Sequence, residues 1–468
     1  VSNAKALFDV LRQSAQADAV EAIERLVEGG SDRALCRVNV LDFATRNGVD
    51  AETAIAAFLH AAQLGIFDLS WNMLCPGCGG VLDTGDSLKI FRHDSYDCQL
   101  CSAGYEPTLD EMVEVTFTVN PRVRKIAGHD PDTLPYIEYF RQVFWSSGND
   151  LPEELEDKLN EFTLEALELH PGEKAVISLQ LPAQFIIVFD PVTHATQFID
   201  VQGEPSKERQ SLAIVFNNVH APTGTVTLAP GPLRLTLENQ TSRRVLPGIW
   251  IANDVLHDML GRRKPFLTAK RLLTNQTFRD IYRTDTLDVD QRLNITSLTF
   301  LFTDLKGSTQ LYDRVGDLVA YDLVRQHFRA LQDIVASETG AVVKTIGDAV
   351  MATFPIPGRA VAAALRMRDE MQRINAERGN EDLLLKIGIH EGPCLAVTLN
   401  DRQDYFGQTV NIAARVQALA SSRAIFATRP IVEDATAADI LSRSQLHPVE
   451  QRATLRGFAE ETLVYEIP

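Results

Sequence analysis

The chain has 468 residues, 45 Lys+Arg against 63 Asp+Glu for a formal net charge of −18, and is 45% hydrophobic and 23% charged. That length can bury several cores, and the composition excludes a disordered or collagen-like polymer. The acidic balance argues against nucleic acid or anionic lipid as a partner of the whole molecule. Apolar runs such as Phe185–Phe189 fall well short of the roughly 20 residues that a membrane span needs. The opening VSNAKALFDVLRQ has no signal-like apolar core, so a cytoplasmic location is expected.

Residues 1–70 read as helical. Ala4–Val27 is an amphipathic helix stopped at Gly29-Gly30; Asn39–Asn47 and Ala51–Leu64 follow around Gly48, then a short strand at Ile66–Leu69. That order also fits a winged helix, but the segment is acidic and no nucleic-acid partner is expected. Residues 71–110 hold Cys75-Pro-Gly-Cys78 and Cys98-Gln-Leu-Cys101, with the ligand spacing of a zinc ribbon. Two disulfides are the alternative, favoured only in an oxidising compartment. Four thiolates would leave a metal no open position, so one structural Zn²⁺ per chain is expected. Cys36 and Cys394 stand alone.

Residues 111–252 are strand-rich. Val113–Val119 alternates as a strand does, Asp150–Leu169 reads as an acidic helix, and the runs AVISLQL, QFIIVFD, ATQFIDV, LAIVFNN, GTVTLAP and PLRLTLEN predict a β-sandwich-like region. His194 and His220 are isolated and read as loop or core histidines. Residues 253–295 turn helical again, as a linker. From residue 296 the pattern becomes βα: strand Leu298–Phe302, then helix Val319–Glu338 with Leu323, Val324, Phe328, Leu331 and Val335 in helical period. A hairpin turning at Gly347-Asp348, a helix over Arg359–Arg378, strands Leu384–Ile389 and Cys394–Thr398, a helix over Gln408–Ala420 and a last strand Glu461–Ile467 complete it. The fold class is multidomain α+β with a C-terminal α/β domain over residues 296–468.

Two carboxylates carry the chemistry. Asp304 ends one strand and Asp348 sits in a neighbouring turn; if the strands pair, the two anions converge and repel unless a cation lies between them. Hard oxygen donors suit Mg²⁺ or Mn²⁺ with room for phosphate. Gly307 lets the backbone bend, and Ser308 and Thr309 open a helix whose free N–H groups attract phosphate. Asn411 and Arg415 are four apart on a predicted helix and share a face, a pairing suited to a charged phosphoryl oxygen; a surface polar pair is the plainer alternative.

FTDLKGST (302–309), KTIGDAVMATF (344–354) and DYFGQTVNIAAR (404–415) together resemble, in order, the three signature segments of class III nucleotidyl cyclases. The resemblance covers residues 296–468 and implies a ferredoxin-like palm core. It further implies that Asp304, Asp348 and the Leu305 backbone carbonyl hold two Mg²⁺ or Mn²⁺ per site. Lys344 and Asp404 would recognise adenine, with Asn411 orienting the ribose and Arg415 stabilising the pentavalent phosphorus. Gly307, Ser308 and Thr309 would cradle phosphate. Many relatives have lysine where this chain has Arg456-Gly457, so Arg456 is a candidate triphosphate contact. The implied reaction converts ATP to cyclic AMP and pyrophosphate in a head-to-tail homodimer, each subunit supplying half of each site. Guanine-specific relatives usually place glutamate and cysteine at the base-recognition positions; a guanylate cyclase, a catalytically silent nucleotide-binding switch and a DNA-binding regulator are the other readings. The N-terminal part resembles a module found fused to bacterial cyclases. It reads as regulatory, answering a ligand or protein that the residues do not identify.

Overall fold

The computed structural model describes residues 2–217, 224–282, 287, 291–399, 402–420, 424–457 and 461–468; the side chains of Ser2, Asn3, Ser308, Thr309, Gln310 and Tyr312 lie outside that description, as does His220. Contacts divide the chain into two units. Val1–Asp86, His93–Pro107 and Glu111–Leu267 form the first; Ser87–Arg92, Thr108–Asp110 and Thr268–Pro468 form the second. No helix among the described residues is long and apolar enough to cross a membrane.

The first unit begins with helices. The single helix expected over Ala4–Val27 is two, Ser2–Leu11 and Ala17–Gly29, because the run Arg12-Gln13-Ser14 carries no apolar residue to continue the buried stripe. Val40–Asn47 is capped by the Asn39 side chain and ends on Gly48 at φ 65°; Ala51–Gln63 is capped by Asp50. Strands Val81–Gly85, Phe67–Leu74 and Val113–Val119 follow in one antiparallel sheet in that spatial order.

Beyond them a three-stranded and a five-stranded sheet face each other. Leu181, Ile214 and Leu235 from one meet Ile186, Val188 and Ile199 from the other in a shared core. The acidic helix expected over Asp150–Leu169 is instead a short helix, Leu155–Asn160, and a strand, Thr163–Ala166, that pairs with Gly248–Ile251. A neighbouring sheet edge overrides the local helical preference there.

In the second unit, α1 (Ala269–Leu273) and α2 (Gln276–Ile281) precede β1 (Leu293–Leu305). Then come α3 (Ser308–Val315), α4 (Asp317–Ser337), the hairpin β2 (Ala341–Ile346) and β3 (Ala349–Phe354), and α5 (Pro357–Arg378). The chain continues with β4 (Leu385–Leu399), β5 (Arg402–Phe406), α6 (Gln408–Leu419), β6 (Ile425–Thr428), α7 (Arg429–Glu433), α8 (Ala435–Arg443), β7 (Val449–Thr454) and β8 (Glu461–Ile467). The strands lie in the order β2-β3-β1-β4-β6-β8-β7, with β5 hydrogen-bonded to β4 off that path. The two strands expected over 384–398 are one long strand, β4.

Strand alternation puts the helices on opposite faces. Leu301, Leu305, Ile387, Ile389, Ile425 and Ala427 share a core with Leu331 and Val335 of α4 and Met367 and Met371 of α5. Phe426, between Ile425 and Ala427, packs instead against Val416 of α6. Asp304 lies between two residues of the first face, so its side chain belongs to the face that α6 covers.

Candidate active site

Register brings the two carboxylates together. Thr303 pairs with Val350, so Asp304 at the end of β1 lies level with the start of β3, and Asp348 is in the two-residue turn just before it. Gly347 has φ 63°, a left-handed conformation that glycine adopts at no steric cost. Asp304 is half-buried. Burial first, and the Asp348 charge second, hold its carboxyl above the usual carboxylate range; Lys386, its cross-strand partner, opposes them. Asp348 Oδ2 is buried with no hydrogen-bond partner. An orphaned anionic oxygen facing a second carboxylate is costly without a cation, so the donor set fits a hard divalent ion. Leu305 follows, buried, and its apolar side chain leaves only its backbone with a polar role. Gly307 has φ 72° and its carbonyl accepts the Leu311 N–H at 3.0 Å. The backbone of Ser308 and Thr309 opens α3; their side chains are outside the described residues.

Lys344 of β2 and Asp404 of β5 form an ion pair, the lysine side chain 41% and the aspartate 10% exposed. Asp404 Oδ1 also accepts the Tyr405 N–H at 2.8 Å. The strands that carry them do not pair with each other.

Asn411 and Arg415 lie one turn apart on α6, the first exposed and the second half-buried. The opposite side of α6, through Thr409, Ala413 and Val416, is buried. Close approach of α6 to β4 rests on glycine: a Cβ on Gly388 would sit 2.1 Å from the Gln417 backbone N. Gln417 lies close enough to the Asp304 carboxylate to draw its pKa down somewhat, and its buried Nε2 has no hydrogen-bond partner. At about 100° per residue, Gln417 points roughly 160° away from Arg415 and about 120° from Asn411. Within one chain α6 thus offers Gln417 to the aspartates and turns Asn411 and Arg415 elsewhere. Arg456 is exposed, and a Cβ on the next residue, Gly457, would lie 3.6 Å from Arg415 Nη2. That places the C-terminal turn beside Arg415.

In the first unit the four cysteines form one cluster, with all four sulfurs within 4.8 Å of one another. Cys75 and Cys101 Sγ are 3.6 Å apart and Cys78 and Cys98 Sγ 3.7 Å. Both separations far exceed a disulfide bond. They are close to the edge of about 3.8 Å of a tetrahedron with metal–sulfur bonds of about 2.3 Å. The Gly80 N–H points to Cys78 Sγ at 3.4 Å, a contact that favours thiolate.

Sequence reasoning passed over Gln417 and His327. His327 of α4 is fully buried with Nδ1 3.4 Å from Met371 Sδ; burial lowers its pKa to about 4, opposed by neighbouring Asp348. The signal was a histidine inside the apolar stripe Ala320, Leu323, Val324, Leu331. His194, half-buried, is likewise lowered to about 4 by burial.

Residues 1–280 match the model of a family of unknown function (DUF5939), and residues 291–457 match the model described as adenylate and guanylate cyclase catalytic domain. Adenylate cyclase 2 of Rhizobium meliloti is 36% identical over 132 residues, covering 26% of this chain and 36% of that protein. Guanylate cyclase 32E of Drosophila melanogaster is 26% identical over 140 residues, covering 27% of this chain and 12% of that protein. The chain therefore matches little more than a third of the first relative's length and much less of the second's. The crystal structure of the adenylyl cyclase CyaB from P. aeruginosa aligns at 22% identity with a TM-score of 0.33, covering 38% of this chain and 96% of that one. The chain belongs to the family of unknown function whose model spans its first 280 residues, and it carries a class III nucleotidyl cyclase catalytic domain, adenylate or guanylate, at its C-terminal end.

Proposed function

We propose that the chain is an adenylate cyclase that converts ATP to 3′,5′-cyclic AMP and pyrophosphate at sites shared by two copies, under control of its N-terminal region. The observation that carries the choice of ATP is the Lys344–Asp404 pair. Adenine presents a ring-nitrogen acceptor beside an exocyclic amine donor, and lysine donates where aspartate accepts. Guanine in the same pose sets its N1–H against lysine and its O6 against aspartate, leaving both protein charges mispaired.

In the reaction the ribose 3′-oxygen bonds to the α-phosphorus, the bond to the pyrophosphate oxygen breaks, and the 3′-hydroxyl proton leaves. Asp304, Asp348 and the Leu305 carbonyl would hold two Mg²⁺ or Mn²⁺ ions, which supply Lewis acidity at the phosphates. Asn411 orients the ribose and Arg415 takes up charge developing on the α-phosphoryl oxygens. Gly307 and the start of α3 at Ser308 and Thr309 receive the triphosphate, with Arg456 reaching it from the C-terminal turn. The outward turn of Asn411 and Arg415 from the aspartates supports completion of each site by a second copy. The four cysteines hold one structural zinc, and residues 111–252 belong to the regulatory region.

The test is product formation by the purified chain with ATP or GTP and Mg²⁺ or Mn²⁺, resolved by chromatography. Cyclic AMP from ATP, lost in Asp348→Ala, is the expected result. Cyclic GMP from GTP in its place would overturn the reading of Lys344 and Asp404, and no product from either would overturn catalysis.

A further inference from the structure

We infer that Arg279, with Gln276, is a positioning residue for nucleobase recognition: α2 fixes the two strands that present Lys344 and Asp404. The inference rests on the reading of that pair as the base-recognition pair.

β2 carries a bulge. Val342 pairs with Ala352 and Lys344 with Met351, so Val343 is the extra residue on the bulged strand. A bulge re-aims the side chain that follows and leaves backbone groups without ladder partners. β2 is also the edge strand of its sheet, so such groups face no further strand. Here α2 supplies the partners. Gln276 Oε1 accepts the Val342 N–H at 2.8 Å. Arg279 Nη2 donates to the Val343 carbonyl at 3.3 Å and to the Gln403 carbonyl at 2.9 Å. Val343 and Gln403 immediately precede Lys344 and Asp404, and their strands share no ladder. One guanidinium thus links the backbone behind the lysine to the backbone behind the aspartate.

The link is polar. Gln276, Arg279, Lys344, Arg402 and Gln403 line a cavity of about 280 Å³ between α2 and the strands. Gln276 and Arg279 are three apart and share a helix face. Asn275 caps α2 by accepting the Phe278 N–H at 3.0 Å, and Phe278 is buried, so the helix itself is anchored. Tyr405, next to Asp404, donates from its hydroxyl to the Leu273 carbonyl at 3.4 Å, a second tie to the same segment. Both bonds leave from the one Nη2, held in place by the guanidinium plane; the shorter side chain of lysine, with its freely rotating ammonium, reproduces the bridge only in part. α1 and α2 are also the first elements of the catalytic unit after the chain leaves the N-terminal one at Leu267.

The experiment measures kcat and KM of the full chain with ATP and with GTP for wild type, Arg279→Ala, Arg279→Lys, Lys344→Ala and the Arg279→Ala/Lys344→Ala double variant. Arg279→Ala should raise KM for ATP about tenfold and lower the ATP-over-GTP ratio of kcat/KM by a similar factor, with kcat for ATP within about threefold of wild type. Arg279→Lys, which keeps the buried stem, should fall between the two and serves where the alanine variant does not fold. In the Lys344→Ala background, Arg279→Ala should change the ratio less than about twofold, because the lysine–aspartate spacing that it sets no longer selects the base once the lysine is gone. An unchanged ATP-over-GTP ratio in both Arg279 variants, or full additivity with Lys344→Ala, would overturn the inference and leave Arg279 a stability residue. A Lys344→Ala enzyme that keeps the wild-type ratio would instead overturn the base-recognition reading itself.

Discussion

Sharing of the site between two chains can be tested by mixing two inactive variants. On the proposed function, Asp304→Ala removes a cation-holding carboxylate and Asn411→Ala the ribose-orienting amide. Each alone should lower kcat at least about 10²-fold, the scale for losing one preorganised polar group aimed at the reacting centre. When the two are mixed in equal amounts and subunits exchange freely, about half of the dimers are heterodimers. In each heterodimer one site combines the intact Asp304 of one chain with the intact Asn411 of the other, while the second site lacks both. The mixture should therefore recover about a quarter of wild-type specific activity, far above either parent. The geometry behind this is the roll of α6: Gln417 is turned toward Asp304, while Asn411 and Arg415 point away from it. Cyclic AMP is followed by chromatography, and exchange is monitored independently by energy transfer between labelled subunits. Complete exchange with activity at the parental background would refute a shared site and require α6 to turn within a single chain.

Exchanging the base-recognition pair, Lys344→Glu with Asp404→Cys, should lower the ATP-over-GTP ratio of kcat/KM by about 10²-fold or more, read from initial rates with each nucleotide. Burial and Asp348 raise the pKa of Asp304, so the folded chain binds that proton more readily than the unfolded one. Stability then falls as pH rises from the ordinary carboxylate value through the raised one. In a chelator at neutral pH, Asp304→Asn should accordingly melt above wild type, and the two should converge as pH falls toward the ordinary carboxylate range. Scanning calorimetry checks both, and added Mn²⁺ should raise the melting temperature of wild type only. Gly388→Ala drives a methyl into the α6 backbone 2.1 Å away and should cost on the order of 1–3 kcal/mol in denaturant unfolding, with loss of activity. Titration of the four-cysteine cluster with a mercurial should release one zinc per chain, detected with a chromogenic chelator, and Cys75→Ser should bind none tightly.

The catalytic domain was legible because its chemistry sits where local pattern is strongest. Asp304 ends an apolar strand, Asp348 occupies a two-residue turn beside Gly347, and Asn411 and Arg415 keep helical spacing, so each could be placed from neighbours within a few residues. The cysteine pairs were legible for the same reason. What escaped depends on contacts far apart in sequence. The helix expected over Asp150–Leu169 yields to a sheet edge supplied by Gly248–Ile251, and Gln417 reads as an ordinary helix residue until β1 is brought beneath it. Arg279 lies more than sixty positions before Val343 and more than a hundred before Gln403. No periodicity marks a guanidinium that serves a bulge, because the bulge is visible only once β2 and β3 are in register.

The Lys344–Asp404 pair shows how selectivity can cost little on this reading. Two charges held apart in a dry pocket would be expensive to maintain before substrate arrives. Here they satisfy each other, and the lysine is 41% exposed, so water already screens much of their attraction. Parting such a pair costs on the order of 1 kcal/mol or less. Adenine inserted between them returns a hydrogen bond to each charge, whereas guanine parts them and returns none in the same pose. The weakness of the ion pair is thus what lets the base decide the outcome. It also means that the strands behind the pair, not the pair itself, must keep the two side chains at the spacing of a purine edge, which is the work assigned to α2.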